Sequence, residues 1–305
     1  MMDLELVRTI IICGPTASGK TDISLELSKH IDIEIISADS RQIYKYLNIG
    51  TATPTDDELN QVKHHFINML NPDEDYSAGK FGKDAYSVLM DIHKRDKIPV
   101  IVGGSGLYIK SLVEGLFENT DDEVDNNIRK QLENELKEKG IDVLYTELKM
   151  IDAPLYELYS DKNPRRIIRA LQHYKQYGKR LSDDWETMQN RKSIVPFYFC
   201  IDEEREVLYN RINQRVLKMW NDGLVEETQN VLKMGYDIKL NSLNTVGYKE
   251  VINFLNGIFS KDKAIEEIQK NTRHYAKRQN TWFKKNTNIK FVNRKNILNE
   301  INKIS

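Results

Sequence analysis

The residues with the clearest chemical meaning form one short segment near the start of the chain. It follows an apolar, β-branched run ending at Cys13, and it matches the pattern GxxxxGK[ST] completely. In such a loop, glycines let backbone N–H groups surround phosphate oxygens, Lys20 reaches the terminal phosphate, and the Thr21 hydroxyl can ligate Mg²⁺. We therefore predict a loop that binds a diphosphate or nucleotide, made of Gly14, Pro15, Thr16, Ala17, Ser18, Gly19, Lys20 and Thr21.

A second candidate, Asp39, comes directly after a predicted strand at 33–37. In an open α/β sheet the carboxyl ends of the strands form the ligand crevice, so Asp39 should lie near the phosphate loop. There it could be a Mg²⁺ partner or a proton acceptor. Alternatively it caps a following helix, as Asp commonly does. The spacing leaves both alternatives open.

Two further candidates are Ser105 and Arg215. Ser105 lies in a glycine-rich turn after a third predicted strand, where its hydroxyl could contact the reacting group or cap the next helix. No GxSxG elbow surrounds it, so a nucleophilic role is not indicated. Arg211, Arg215 and Lys218 share one helix face, which either neutralises a leaving diphosphate or is only a solvated surface.

Strand and helix patterns alternate around these residues. Apolar, β-branched runs at 8–13, 33–37 and 97–102 end in Gly- or Ser-rich turns, and helical spacing follows from Lys20 to about His30 and again after Gly106. This alternation predicts βαβ units, and hence an α/β fold with a P-loop NTPase-like parallel sheet core flanked by helices.

The middle of the chain has a different character. We find no strand-like run from about 121 to 184, and Asn163-Pro164 is a helix start with Asn as cap and Pro in the first turn. A strand pattern returns at 193–201, and a last strand is predicted at 288–293. We therefore predict a catalytic core over 1–116 and 193–305, with basic C-terminal helices, interrupted by a helical insertion at 117–192.

The composition indicates a globular protein of a reducing compartment. Cys13 and Cys200 form no CxxC pair, which argues against a zinc ribbon or a disulfide framework. No apolar run approaches the ~20 residues of a membrane-spanning helix, and the first residues do not resemble a signal peptide. We expect a cytoplasmic protein without membrane association.

Charge is balanced overall but unevenly distributed. The chain has 45 Lys and Arg residues against 46 Asp and Glu, yet the stretches 162–182 and 268–299 contain basic residues and no acid. Segregated charge of this kind lets a nearly neutral protein present a cationic face. The two stretches therefore predict a nucleic acid or a comparable polyanion as partner, although solvated helix faces would have the same composition.

Several longer segments, taken in order, resemble one family. They are GPTASGKT, SADSRQIYKYLNIGTATP, IPVIVGGSGLYIKSL, NPRRIIRALQHYKQYGKRLS, TVGYKEVINFL and TRHYAKRQNTWF. The chain resembles the bacterial tRNA dimethylallyltransferases from Ile10 to about Phe291. The resemblance implies transfer of a dimethylallyl group from dimethylallyl diphosphate to N6 of the tRNA adenosine immediately 3′ of the anticodon, by a monomeric enzyme that uses Mg²⁺.

The resemblance also implies roles for particular residues. The phosphate loop with Lys20 would hold the diphosphate of the prenyl donor, Asp39 would take the proton from the adenine amino group, and Ser105 would lie near the reacting phosphate, where the family usually has Thr. Arg215 would be a diphosphate ligand. The residues matching tRNA-contacting segments are Asp39, Ser40, Arg41, Gln42, Ser105, Arg129, Arg165, Arg166, Ile167, Ile168, Arg169, Lys277, Arg278 and Gln279.

Three alternative functions remain consistent with the phosphate loop. A P-loop small-molecule kinase would use the same loop but has no need for two basic stretches. An adenylate isopentenyltransferase would share the core and the chemistry, with a free nucleotide as acceptor; the helical insertion and the AKRQNTWF segment favour tRNA instead. A non-catalytic, RNA-binding NTPase switch would hold or hydrolyse ATP and need no prenyl pocket.

Overall fold

A computed structural model describes residues 6–115, 126–188 and 193–304. Its strands are β1 (Val7–Cys13), β2 (Ile33–Ser37), β3 (His64–His65), β4 (Ile98–Gly103), β5 (Ile194–Asp202) and β6 (Lys290–Asn293). Its helices are α1 (Lys20–Leu27), α2 (Asp56–Gln61), α3 (Ala78–Lys94), α4 (Gly106–Glu114), α5 (Asn126–Lys139), α6 (Ile141–Ile151), α7 (Ala153–Leu158), α8 (Pro164–Tyr177), α9 (Leu181–Met188), α10 (Arg205–Asn221), α11 (Leu224–Lys233), α12 (Tyr248–Leu255), α13 (Lys261–Phe283) and α14 (Ile297–Asn302). None of the described helices has the length and apolar character needed to cross a membrane.

The strands pair in the order β3-β2-β4-β1-β5-β6, and every pair is parallel. The central strand β1 is buried along its length except at Arg8, and Ile11 pairs with Ile101 on one side and Tyr198 on the other. A strand covered on both faces needs apolar residues at nearly every position, which is what the run from Val7 to Cys13 supplies. The predicted parallel α/β core is confirmed.

Three details of the sheet and its helices differ from the prediction. The edge strand β3 was missed because two residues, His64 and His65, are too few to show a periodicity. The last strand begins at Lys290, later than predicted. Helix α1 ends at Leu27, before the predicted end near His30. The Ser28 hydroxyl after it donates to the Leu25 carbonyl at 2.7 Å, and Ser side chains that bond the local backbone are common at helix ends.

The chain divides into two compact units. The first comprises Met1–Tyr76, Asp84–Ile109 and Ser193–Ser305 and holds the sheet; the second comprises Ser77–Lys83 and Lys110–Lys192. The insertion predicted at 117–192 falls within the second unit, and its predicted ends, 117 and 192, lie outside the described residues.

In the second unit, helices α5 to α9 enclose an apolar core that includes Leu144, Leu148 and Leu171. The predicted start of α8 is confirmed: the Asn163 side chain accepts hydrogen bonds from the first-turn N–H groups, and Pro164 occupies the first helical position. The buried Asp152 carboxylate accepts from the N–H groups of Leu155 and Ser182 and so joins α7 to α9.

In the first unit, one carboxylate fixes the loop that follows the Asp39 segment. Glu227 on α11 accepts hydrogen bonds from the N–H groups of Asn48 at 2.9 Å, Ile49 at 2.8 Å and Gly50 at 3.2 Å. The Tyr248 hydroxyl donates to the same carboxylate at 2.7 Å. A Cβ atom at Gly50 would lie 2.5 Å from the Tyr248 ring, so this close packing requires glycine.

We expect Glu227→Ala to lower the free energy of unfolding by about 2–4 kcal/mol, because it leaves three backbone N–H groups without their charged acceptor. Chemical denaturation measures the change. The matched control is Glu226→Ala, an exposed neighbour on the same helix, which should change stability by less than ~0.5 kcal/mol. Equal effects of the two substitutions would contradict the role given to Glu227.

Candidate functional site

The phosphate loop connects the central strand β1 to helix α1, as predicted. Its backbone needs left-handed conformations at Ala17, with φ of 61°, and at Gly19, with φ of 88°. A Cβ atom at Gly19 would also lie 2.7 Å from the guanidinium carbon of Arg294. The Ser18 hydroxyl is buried and has no hydrogen-bond partner among the described residues. The loop thus leaves a polar group, and the N-terminal N–H groups of α1, for an anion.

Lys20 supplies the positive charge of this loop. Its Nζ donates to the carbonyl oxygens of Gly14 at 3.1 Å and Pro15 at 2.7 Å. Its pKa is lowered to about 8, mainly by burial; the Asp39 carboxylate opposes this shift and the Arg215 guanidinium adds to it. A phosphate anion beside the ammonium would compensate the lost hydration, so the site is prepared for negative charge.

Arg215 is the member of its predicted helix face that points toward the loop. Its Nη1 lies 3.5 Å from the Thr16 hydroxyl. Burial lowers its pKa, while the carboxylates of Asp39 and Asp22 act in the opposite direction. The other two members of the face are paired elsewhere: Arg211 with Glu203 at 2.5 Å and Lys218 with Asp222 at 2.6 Å. Of the three residues, Arg215 is therefore the one beside the phosphate loop, and its role as a diphosphate ligand stays a prediction.

Asp39 follows β2 at the same edge of the sheet. One of its carboxylate oxygens accepts from the Arg41 N–H at 2.9 Å and closes a turn. The next helix, α2, begins only at Asp56, so the alternative that Asp39 caps a following helix is wrong. Its negative charge raises the pKa values of Lys20 and Arg215, so the carboxylate lies within electrostatic range of both cations.

Ser105 joins the turn after β4 to the turn after β2. Its Oγ accepts from the Ser40 N–H at 3.2 Å, and its own N–H donates to the Ala38 carbonyl at 3.1 Å. The hydroxyl thus bonds across to the Asp39 segment rather than to the first turn of α4. As a result Asp39 and Ser105 lie on two turns that are hydrogen-bonded to each other.

The residues after Asp39 are engaged within the fold. Arg41 donates to the Asn241 carbonyl at 2.8 Å, and Gln42 donates to the Ala52 carbonyl at 2.9 Å while accepting from the Ser37 hydroxyl at 3.1 Å. Ser40 contributes its N–H to Ser105. These contacts give the Asp39 segment a fixed backbone.

The predicted RNA contacts on α8 separate into two groups. Arg165, Arg166 and Arg169 are exposed on the second unit. Ile167 and Ile168 are buried in its apolar core, so the prediction that they contact tRNA is wrong for their side chains. On α8 the three arginines face outward, and helical periodicity turns the two isoleucines inward.

Other predicted RNA contacts also differ in exposure. Arg129 is exposed on α5 and pairs with Glu133 at 3.0 Å. Lys277 and Arg278 are exposed on α13, whereas Gln279 is buried, with 6% of its surface accessible. Gln279 bonds other parts of the first unit through both ends of its amide, so the prediction of a direct tRNA contact does not fit its placement.

In the folded protein, basic residues of the two acid-free stretches form salt bridges with acidic residues. Several cations of the stretches pair with carboxylates, some immediately flanking the stretches and others from distant segments. The described pairs are Lys162–Asp142, Arg166–Asp161, Lys175–Glu147, Arg180–Asp183, Lys270–Glu267, Lys290–Glu300 and Arg294–Asp22. The stretches therefore supply fewer unpaired cations than their composition indicates.

Comparisons with known proteins agree on one family. The family model described as IPP transferase matches residues 42–286. A tRNA dimethylallyltransferase of Thermotoga maritima is 44% identical over 280 residues, which cover 92% of this chain and 90% of the relative.

Solved structures give the same picture. The tRNA isopentenylpyrophosphate transferase of Bacillus halodurans is 34% identical with a TM-score of 0.70, over 97% of this chain and 95% of that chain. A eukaryotic dimethylallyltransferase acting on tRNA is 26% identical with a TM-score of 0.78, over 90% of this chain and 69% of that chain.

The lowered pKa of Lys20 predicts how anion binding depends on pH. The ammonium is intact below about pH 8 and is lost above it, so we expect affinity for inorganic pyrophosphate to fall by up to ~tenfold per pH unit above that value. Titration calorimetry between about pH 7 and about pH 9.5 measures this. The comparison is Lys20→Arg, whose guanidinium keeps its charge over this range. An equal pH dependence in both proteins would refute the assignment to Lys20.

Proposed function

Because the chain belongs to the IPP transferase family, we propose that it transfers a dimethylallyl group from dimethylallyl diphosphate to N6 of the tRNA adenosine immediately 3′ of the anticodon. The observation that carries the proposal is the gathering of Lys20, Arg215 and Asp39 at one edge of the sheet. Such a transfer needs cations that stabilise the departing diphosphate and a carboxylate that accepts a proton. Lys20 and Arg215 beside the phosphate loop, and Asp39, are groups of these kinds. The reaction belongs in the cytoplasm with its tRNA acceptor, and we propose a monomeric enzyme.

The chemistry assigns each group a part. The adenine N6 attacks the allylic carbon of the donor, and the bond between that carbon and the diphosphate oxygen breaks, with its electron pair leaving on the diphosphate. N6 is a poor nucleophile because its lone pair is delocalised into the ring, so stabilising the departing anion matters most. Lys20, Arg215 and the N–H groups of the loop provide that stabilisation.

Asp39 receives the proton that N6 loses. Its carboxylate has one oxygen tied to the Arg41 N–H, which orients the side chain. Ser105 on the adjoining turn lies beside the same segment and offers a hydroxyl to the reacting groups. Holding acceptor and donor in line accounts for much of the expected rate enhancement. The target base must leave the stack of the anticodon loop to reach this site, as in other enzymes that modify a base.

We propose Mg²⁺ as cofactor. The described residues include no cluster of three or more His, Cys, Asp or Glu side chains that could hold a metal. This suits Mg²⁺, which commonly binds through substrate phosphates and water with few protein ligands. The Thr21 hydroxyl would hold the ion, and the unpaired Ser18 hydroxyl adds an oxygen in the same loop. When bound, the ion neutralises charge on the diphosphate.

We expect Asp39→Asn to lower transfer by roughly 100-fold to 10 000-fold, the range for loss of a general base, and to leave tRNA affinity within ~twofold. Asparagine keeps an acceptor oxygen for the Arg41 N–H, so the turn should persist. The assay uses radiolabelled dimethylallyl diphosphate, Mg²⁺ and unmodified tRNA, with AMP, ADP and ATP as parallel acceptors.

The control is Asp91→Asn, which removes an exposed carboxylate from α3 and should transfer normally. Label in free nucleotide rather than in tRNA would show that the enzyme is an adenylate isopentenyltransferase. Full transfer by Asp39→Asn would exclude Asp39 as the base.

The exposed cations of α13 predict a salt effect. We expect the double substitution Lys277→Ala, Arg278→Ala to reduce the slope of log affinity for the anticodon stem-loop against log salt by about two, since each lost phosphate contact removes about one. The control is Lys263→Ala, Lys270→Ala on the same helix, whose cations pair with Glu267. Filter binding over a salt series gives the slope for each double variant. Identical slopes would show that Lys277 and Arg278 do not contact RNA phosphates.

A further inference from the structure

The buried amide of Gln279 connects the two loops of the site. Its Oε1 accepts from the Thr16 N–H of the phosphate loop at 2.8 Å. Its Nε2 donates to the Gly104 carbonyl, in the turn that carries Ser105, at 3.0 Å. One side chain on α13 therefore bonds the segment that would hold the donor diphosphate and the segment that holds Ser105.

Helix α13 approaches the Ser105 turn closely at the two glycines that flank Ser105. A Cβ atom at Gly104 would lie 2.1 Å from Gln279 Nε2, and one at Gly106 would lie 2.0 Å from Trp282 Nε1. Tyr275 lies on the same side of α13, near Ser105, and burial raises its pKa to about 12. Residues 275, 279 and 282 are spaced i, i+4, i+7 and so form one stripe along the helix.

The outward side of the same helix carries exposed cations. Lys277 and Arg278 immediately precede Gln279 and are exposed, while Gln279 is buried. Helical geometry makes this arrangement rigid, because neighbouring residues point in directions about 100° apart on one backbone. Gln279, which hydrogen-bonds both loops, therefore lies one residue from the exposed cations of the same helix.

We propose that Gln279 is a positioning residue that holds the phosphate loop and the Ser105 turn at a fixed separation, so that RNA bound on α13 and a diphosphate in the loop are aligned by one side chain. The inference rests on the proposed transfer reaction and adds to it a residue that touches neither substrate. We call the two hydrogen bonds of the Gln279 amide the Gln279 bridge. Its loss should misplace the donor relative to the acceptor, and a misplacement of ~1 Å can lower the rate ~100-fold.

The first test separates positioning from binding. We expect Gln279→Ala to lower kcat by ~10-fold to ~100-fold, while the dissociation constant for tRNA stays within ~twofold. The matched control is Gln269→Ala on the same helix, which loses a hydrogen bond to the Asn213 carbonyl and should keep kcat within ~twofold. An unchanged kcat in Gln279→Ala, or an equal loss in both variants, would overturn the proposal.

A second variant gives a readout that a merely structural role would not produce. Gln279→Glu keeps the acceptor for Thr16, but its ionised form places a second oxygen against the Gly104 carbonyl. The protonated form can donate again, and the buried site raises the pKa of this carboxyl. We expect the ratio of Gln279→Glu to wild-type kcat to rise from about pH 8 to about pH 6. A ratio independent of pH would count against the bridge.

A third measurement does not depend on the reaction. Gly104→Ala should destabilise the fold because its Cβ meets Gln279, and adding Gln279→Ala should recover part of the loss. Thermal unfolding of the two single variants and the double variant gives the coupling; strictly additive shifts would refute the contact. Wild-type protein that fails to label tRNA, with the coupling present, would overturn the proposed function and leave the bridge as a structural contact alone.

Discussion

The parallel pairing of β1 with both β4 and β5 is the constraint on which the site depends. Parallel strands require crossover connections, and they bring the ends of all strands to one edge. The phosphate loop, the Asp39 turn and the Ser105 turn come from β1, β2 and β4, which are distant in sequence but adjacent or nearly adjacent in the sheet. The sheet therefore brings the phosphate loop and the turns that carry Asp39 and Ser105 to one edge through backbone pairing alone.

Electrostatics determines what that edge can bind. Lys20 and Arg215 lie close to one carboxylate, Asp39, and burial lowers the pKa of both cations. Carbonyl oxygens of Gly14 and Pro15 supply the hydrogen bonds that Lys20 would otherwise make to water. A diphosphate would add the missing negative charge and replace neutral acceptors with anionic ones, which form stronger hydrogen bonds with an ammonium. The burial that disfavours the free cations thus favours the bound complex.

Much of the core could be predicted because its signals are local. The phosphate loop, the buried run before it and the cap at Asn163-Pro164 each depend on residues close in sequence. Features that depend on distant contacts could not be predicted. The hydrogen bonds of Gln279 with the Thr16 N–H and the Gly104 carbonyl join segments that are far apart in sequence. Likewise Lys162 and Lys175 find acids on α6, outside their own acid-free stretch.

The glycines of the Ser105 turn are required by long-range contacts that the sequence alone does not reveal. Gly103 leaves room for the Ala38 carbonyl, Gly104 for Gln279 and Gly106 for Trp282. Read alone, the segment GGSG indicates a flexible turn. In the folded chain each of these three glycines marks a place where another segment approaches too closely for a Cβ atom. The turn is glycine-rich because it is tightly packed, and that packing ties Ser105 to the helix whose exposed side carries Lys277 and Arg278.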